Sequence, residues 1–148
     1  MVYPDLIKAG PGPRMAFLEK ADSQVIAETL VSFANTEGGT LVIGLKDDGK
    51  PSGNKIDNDN LEKALKDADE NCNPAVVVGN WEEVTLKDDK KVYALRVPRS
   101  IELHALADGR VLIRSGTKNR PLGGQEILRL ASAKNTGDFE SEVVPGVT

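Results

Sequence analysis

Residues 33–49 read Phe-Ala-Asn-Thr-Glu-Gly-Gly-Thr-Leu-Val-Ile-Gly-Leu-Lys-Asp-Asp-Gly, and this segment constrains the fold more than any other part of the chain. The adjacent glycines Gly38 and Gly39 end a helical pattern, because glycine adopts the positive φ that helix C-termini favour. The apolar, β-branched run 40–45 is typical of an interior strand. The acidic turn that follows leaves Asp47 where this strand ends. The segment therefore predicts a helix, a glycine turn and a buried strand in immediate succession.

The composition is that of one globular domain. The chain has 148 residues, of which 39% are hydrophobic and 28% are charged, so it can bury a core of its own. Its apolar runs are too short to cross a bilayer, and its first residues lack a signal-peptide pattern. A single cysteine, Cys72, and a single histidine, His104, exclude an internal disulfide and the usual zinc sites. We therefore expect a cytoplasmic protein without a membrane segment.

Turn and breaker residues divide the chain into three parts. A proline- and glycine-rich segment occupies residues 1–14, a folded domain spans 15–133, and a polar, acidic tail covers 134–148. The predicted elements of the domain are a strand over 16–19, a helix capped by Asp22 or Ser23, the strand 40–45, a brief strand near 50–52, a helix over 60–71, strands over 76–86, 91–97, 103–106 and 111–114, and a helix over 124–131. This order predicts an α+β fold, a mixed β-sheet with two or three helices.

Two local signals in the second half of the domain make specific predictions. Asp59 and Glu62 have the spacing of a capping box, which predicts that the second helix begins at residue 60. The pair Asp108-Gly109 is a strong hairpin signal, so we expect the strands on either side of it to pair with each other. The strands 76–86 and 91–97 are expected to form another hairpin around the polar loop 87–90.

The charges are distributed unevenly along the chain. The net charge of −4 and the sequence pI of about 5.1 argue mildly against strong nucleic-acid binding. Residues 57–90 contain ten acids against four lysines, whereas residues 99–120 contain five bases against two acids. The sequence leaves two interpretations of the second region, a basic binding surface within an acidic protein or ordinary solvated charge.

Five blocks of the sequence match, in order, those of a known family. They are Glu19 ahead of a capped helix, residues 33–39, residues 43–49, residues 97–100 with His104, and residues 112–117. Through these blocks the chain resembles the Schlafen/AlbA-like domain family, formerly called the divergent AAA domain, over about residues 14–132. The resemblance implies an α+β Schlafen/AlbA-like fold. Its structural signature here is Asn35, Gly38, Gly39 and Gly44.

The resemblance also implies association with nucleic acid. Bacterial members are commonly the N-terminal module of transcriptional regulators, so we expect a non-catalytic module that binds DNA and needs no cofactor. The side chains expected to contact phosphate lie in the strands and loops of the basic region, namely Arg110, Arg114, Lys118 and Arg120.

A metal-dependent nuclease is the first alternative. Animal Schlafens cleave tRNA-like RNA with three carboxylates that would hold divalent metal ions. The resemblance places Glu19 at the second carboxylate and Asp47 at the third, as catalytic residues in a Mg²⁺- or Mn²⁺-dependent endoribonuclease of structured RNA. Arg14 occupies the position of the first, and an arginine is no ligand for a hard cation. The competing interpretation is that Glu19 is a surface strand residue and Asp47 a turn-former.

The former family name suggests ATP hydrolysis, which the sequence excludes. There is no Gly-x-x-x-x-Gly-Lys-Ser/Thr, and the glycine turn follows a helix and precedes a strand, the reverse of a P-loop. The second alternative is an assembly domain that pairs with another copy. Animal Schlafens carry two such domains in tandem and this chain has one, so we expect a homodimer.

Overall fold

A computed structural model describes residues 7–53, 56–86 and 89–136 of the chain. The predicted tail beyond residue 136, the first six residues and the tip of the loop at 87–88 lie outside the described residues. The helices and strands are β1 Met15–Leu18, α1 Ser23–Asn35, β2 Gly39–Ile43, α2 Asn58–Glu70, β3 Cys72–Asn73, β4 Glu82–Thr85, β5 Lys91–Val97, β6 Ala105–Leu106, β7 Leu112–Ser115, β8 Lys118–Pro121 and α3 Gly124–Thr136. The predicted α+β class is confirmed.

Strand β2 lies inside a four-stranded mixed sheet. The strand order is β1-β2-β5-β4, with β1 parallel to β2 and the other two pairs antiparallel. Leu41, Val42 and Ile43 are fully buried. The prediction that this apolar strand is an interior one is therefore confirmed. Two smaller sheets, β3-β6 and β7-β8, complete the strand pairing.

Apolar side chains cover both faces of the four-stranded sheet. On one face, Leu41 and Leu95 belong to the cluster that includes the buried sides of α1 and α2. On the other face, Val42 and Ala94 belong to a second cluster that includes Ile7. Successive side chains of a strand point to opposite faces, so a strand buried on both faces must be apolar throughout.

Helix α1 begins with a side-chain cap and ends at a close chain crossing. The Asp22 carboxylate accepts hydrogen bonds from the backbone N–H groups of Gln24 and Val25, so Asp22 rather than Ser23 is the cap. At the other end, Gly38 has a φ of +76°, and a Cβ there would lie 2.7 Å from the Val97 carbonyl oxygen. A Cβ at Gly39 would lie 2.8 Å from both the Arg14 carbonyl oxygen and the Phe33 ring. Both positions therefore require glycine.

The start of α2 differs from the prediction. Asp57, not Asp59, is the cap, and its carboxylate accepts the N–H of Asn60 at 2.8 Å. Asp59 lies in the first turn of the helix, which begins at Asn58. Both aspartates are residue types that cap helices, and the helix buries Leu61, Ala64 and Ala68. The predicted capping box is therefore wrong by two residues.

The strand pairing after α2 also differs. Asp108-Gly109 forms the expected tight turn, since the Leu106 N–H donates to the Arg110 carbonyl oxygen at 2.8 Å. The flanking strands do not pair with each other, because β6 pairs with β3 and β7 pairs with β8 through a turn at Gly116. The Ala107 N–H donates to the Asn71 carbonyl oxygen, which holds this turn at the end of α2. The strand predicted over 76–86 is confined to β4, which does pair with β5.

Helix α3 is attached to the domain by a buried lysine. Among the α3 side chains that the structure describes, that of Lys134 is the buried one. Its Nζ donates to the carbonyl oxygens of Ser100 at 2.6 Å and Ala34 at 3.4 Å. Burial lowers the pKa of Lys134 to about 8, and the charge of Arg99 acts in the same direction. The helix extends from Gly124 to Thr136, five residues beyond its predicted end.

Replacing Phe33 with alanine is expected to lower the free energy of unfolding by roughly 3–5 kcal/mol, because the substitution leaves a cavity in the core. Phe33 is 0% exposed and its ring contacts the glycine turn. Urea unfolding followed by circular dichroism measures the effect. Val77→Ala is the control, since Val77 is 78% exposed. A loss for Phe33→Ala no larger than that of the control would contradict the assignment of Phe33 as the anchor of α1.

Candidate nucleic-acid interface

Asn35 connects the end of α1 to two segments that are distant in sequence. Its Nδ2 donates to the carbonyl oxygens of His104 at 2.8 Å and Leu112 at 3.0 Å, and its Oδ1 accepts the His104 N–H at 2.9 Å. The side chain is buried. Because all three partners are backbone groups, Asn35 fixes where the chain passes before β6 and where β7 begins.

His104 is a buried residue with both ring nitrogens engaged. Nδ1 lies 2.8 Å from the Pro74 carbonyl oxygen and Nε2 lies 2.8 Å from Ser100 Oγ. Both ring nitrogens of this histidine therefore contact groups of the domain itself. Cys72 is similarly buried at the end of α2, and burial, with the charge of Asp69, raises the pKa of its thiol to about 12.

Arg114 of β7 lies inside the domain. Its Nε donates to the Gly12 carbonyl oxygen at 3.1 Å, its Nη2 to the Met15 carbonyl oxygen at 2.9 Å, and its Nη1 to Asn119 Oδ1 at 3.0 Å. The guanidinium carbon lies 5.3 Å from the centroid of the Phe33 ring. The residue is 7% exposed, so Arg114 does not lie on the outer surface with the other residues predicted to contact phosphate.

The other three predicted basic residues are exposed. Arg110 binds two carboxylates, with Nε 2.9 Å from Asp108 Oδ2 and Nη2 3.1 Å from Glu28 Oε2. The hydrogen bond to Asp108 is the largest effect that raises the pKa of Arg110, and the hydrogen bond to Glu28 raises it further. Arg120 Nη2 lies 3.0 Å from Glu126 Oε2, and the hydrogen bond from Arg120 is the main cause that lowers the pKa of Glu126.

The β7-β8 hairpin presents two different faces. Lys118 and Arg120 alternate with Asn119 along β8, so they share one face and Asn119 lies on the other. Asn119 pairs with Arg114 in the strand register and is hydrogen-bonded to its guanidinium. The structure therefore brings Lys118 and Arg120 together on the outer face and takes Arg114 to the inner face.

The two carboxylates predicted for a nuclease do not form a metal site with a third ligand. Glu19 follows β1, and its carbonyl oxygen accepts a hydrogen bond from Ser52 at 2.7 Å. Arg14, at the position of the missing carboxylate, pairs with Glu37 through a 3.1 Å contact. Within the described ranges, no group of three or more His, Cys, Asp or Glu side chains could hold a metal ion. The residues present do not fit the family's trio of metal-binding carboxylates.

A cavity of about 170 Å³ lies between β1 and the hairpin. Its polar lining consists of Asp47, Arg114, Thr29, Thr117 and Asn119, and its apolar lining of Pro11, Ala16, Phe17, Leu18 and Val25. The charge of Asp47 raises the pKa of Arg114, whereas burial, the larger effect, lowers it. Asp47 and Arg114 were candidates from the sequence, whereas Thr29 and Asn119 were not. These two residues are 90 positions apart, and no sequence pattern connects them. In the structure, Asn119 Nδ2 donates a 3.1 Å hydrogen bond to Thr29 Oγ1.

The family model for Schlafen, AlbA_2 matches residues 14–123, which include every strand and the first two helices. The chain belongs to the Schlafen/AlbA_2 family. Three of the four signature residues lie together, since Gly38 and Gly39 follow the end of α1 that holds Asn35. Gly44 directly follows β2, and its N–H donates to the Leu18 carbonyl oxygen at 2.7 Å. Helix α3 begins immediately after the matched range.

Comparison with solved structures agrees with this family fold. The Schlafen/AlbA_2 domain superposes on the DIP2311 protein from Corynebacterium diphtheriae with a TM-score of 0.63 and 19% sequence identity. The similarity covers 82% of this chain and 24% of that protein, so the chain spans about a quarter of its length. At this identity the likeness shows the fold alone. No curated protein matches the chain. None of the described helices is both long and apolar enough to span a membrane.

Replacing Asn35 with alanine is expected to lower the free energy of unfolding by at least about 2 kcal/mol, because buried backbone groups of His104 and Leu112 lose their hydrogen-bond partner. Chemical denaturation measures this loss. Asn80→Ala, at an exposed position ahead of β4, is the matched control and should change stability by less than about 0.5 kcal/mol. Equal effects of the two substitutions would contradict the structural role of Asn35.

Proposed function

We propose that this Schlafen/AlbA_2 domain is a DNA-binding module of a transcriptional regulator and that it is not catalytic. The proposal rests on one observation, which is that Lys118 and Arg120 lie side by side on the exposed face of β8. Two cations separated by one residue on a strand present their charges in the same direction, as contacts to neighbouring phosphates require. Lys118 has no carboxylate partner in the described part of the chain.

The ion pair of Arg120 is compatible with phosphate binding. Its side chain is 47% exposed and that of Glu126 is 42% exposed. An exposed ion pair contributes at most about 1 kcal/mol, so Arg120 can exchange Glu126 for a phosphate oxygen at small cost. Arg110 is held by two carboxylates, one of them on α1, and we leave it out of the proposed surface.

Lys118→Ala and Arg120→Ala are each expected to weaken binding to duplex DNA by a similar factor for different sequences. Each substitution should lower the slope of log K against log salt concentration by roughly 1 unit, since one phosphate contact is lost. Fluorescence anisotropy over a salt series measures both quantities. Lys66→Ala, at an exposed position on α2, is the matched control and should leave the slope unchanged.

Two results would overturn the hairpin surface. One is the absence of binding by the wild type at low salt, and the other is an equal effect of Lys66→Ala. Running the same mixtures with Mg²⁺ or Mn²⁺ and structured RNA tests the nuclease alternative. Cleavage that is lost in Glu19→Ala and Asp47→Ala would establish that alternative in place of the non-catalytic one.

We further propose that the working form is a homodimer. The support comes from α3, where Leu128 is 69% exposed and Ile127, Leu130 and Ala131 are only partly covered. An apolar helix face of this kind gains stability when it packs against another helix.

The wild type is therefore expected to have twice the monomer mass at high micromolar concentration, and Leu128→Glu is expected to shift it to the monomer. Light scattering measures the mass, and Val77→Glu, at an exposed residue away from α3, is the control. A monomeric wild type would contradict the dimer.

A further inference from the structure

We propose that the cavity between β1 and the β7-β8 hairpin is a binding site for one unpaired guanine base. The inference rests on the proposed function, because the outer face of the hairpin would hold the strand that carries the base. The cavity and the phosphate-binding face are formed by the same four-residue stretch. Thr117 and Asn119 line the cavity, and Lys118 and Arg120 alternate with them on the outer face.

The cavity has the construction of a base-binding site. Its volume of about 170 Å³ admits a single nucleobase. Half of its lining residues are apolar and cover the broad, weakly hydrated faces of a ring, whereas the polar residues can meet the ring's hydrogen-bonding edge. Thr117 is exposed in the hairpin turn, so the cavity opens where a strand held by Lys118 would pass.

Asp47 supplies acceptors that are available to a ligand. Its carboxylate lies in the exposed turn after β2, and no hydrogen bond or ion pair with the described residues engages it. An ionised carboxylate has two acceptor oxygens and no donor. It therefore pairs best with a ligand that presents two neighbouring N–H groups.

Arg114 supplies donors at the buried side. A guanidinium has five N–H groups, and three of them bind Gly12, Met15 and Asn119. The other two guanidinium N–H groups make no hydrogen bond with the described residues, so they can donate to an acceptor in the cavity. The positive charge is held in place by its backbone partners, so it meets a ligand without rearrangement.

Guanine is the base that matches this set of donors and acceptors. Its N1–H and N2–H₂ groups are adjacent donors that fit the two oxygens of a carboxylate, and its O6 and N7 are acceptors for guanidinium N–H groups. Adenine, cytosine and thymine each present one donor group beside a ring or carbonyl acceptor, which would face the Asp47 carboxylate. The opposite charges of Asp47 and Arg114 also favour a neutral base over a phosphate, which Asp47 would repel.

The test compares two single-stranded DNA 12-mers, one of thymine only and one with a single central guanine. Wild type is expected to bind the guanine-containing strand roughly tenfold more tightly, the discrimination typical of one good bidentate contact. Asp47→Asn should reduce this ratio to about 1 while leaving the affinity for the thymine strand unchanged or slightly higher, since it removes one negative charge near the phosphates.

Asp48→Asn is the matched control. It makes the same change in charge one residue away, but Asp48 does not line the cavity, and its Oδ1 accepts the Lys50 N–H within the turn. It should keep the tenfold preference. Lys118→Ala should weaken binding of both strands equally and also keep the preference. Thermal melting of each variant confirms that it is folded.

The outcomes separate the base site from the hairpin surface. Equal affinity of wild type for the two strands, or a preference that survives Asp47→Asn, would overturn the guanine site and leave the hairpin proposal standing. If neither strand binds, the hairpin proposal fails, and the cavity is then judged by NMR titration with guanosine, 5′-GMP and uridine. Shifts of the Thr117 and Asn119 amides with both guanine compounds, absent with uridine and in Asp47→Asn, would support the site; their absence would overturn it.

Discussion

Asn35 makes three buried hydrogen bonds at the end of α1, and the position of the second half of the domain depends on them. The amide holds the backbone at His104 and at Leu112, and the neighbouring Thr36 Oγ1 accepts the Arg114 N–H at 3.0 Å. These contacts align β7 along the helix before β8 returns beside it. A buried amide with all of its partners in place specifies one arrangement, because any shift of β7 would leave polar groups unpaired.

The alignment of β7 decides what its basic side chain can do. Arg114 enters the interior, where it binds the carbonyl oxygens of Gly12 and Met15 and the ring of Phe33. A buried charge is costly unless it is hydrogen-bonded, and these partners offset part of that cost. The Met15 carbonyl oxygen at the start of β1 also accepts the Gly12 N–H at 2.8 Å, so Arg114 adds a second hydrogen bond at the outer edge of the sheet. The inner face of the hairpin is thus held by structural contacts except where Arg114 and Asn119 line the cavity, and the proposed phosphate contacts are assigned to the outer face.

For the proposed DNA binding, the electrostatics of the domain predict a modest, salt-sensitive affinity. The chain carries a net charge of −4, and exposed carboxylates neutralise Arg14 and Arg120 locally. Such exposed pairs exchange readily with phosphate, but each exchange also costs the original contact.

Much of the fold could be predicted from local sequence. The apolar run of β2, the Asp22 cap and the paired glycines each act over a few residues, so their structural consequences follow from the sequence around them. Other features depended on distant partners. The α2 cap is Asp57 and not Asp59, and β6 pairs with β3 beside a hydrogen bond from the Ala107 N–H to the Asn71 carbonyl oxygen. The sequence by itself determined α1, the glycine turn, the buried strand β2 and the family, whereas it did not indicate the strands β3 and β8. Only the tertiary structure decided that Arg114 is interior, because its carbonyl partners lie 99 and 102 residues away along the chain.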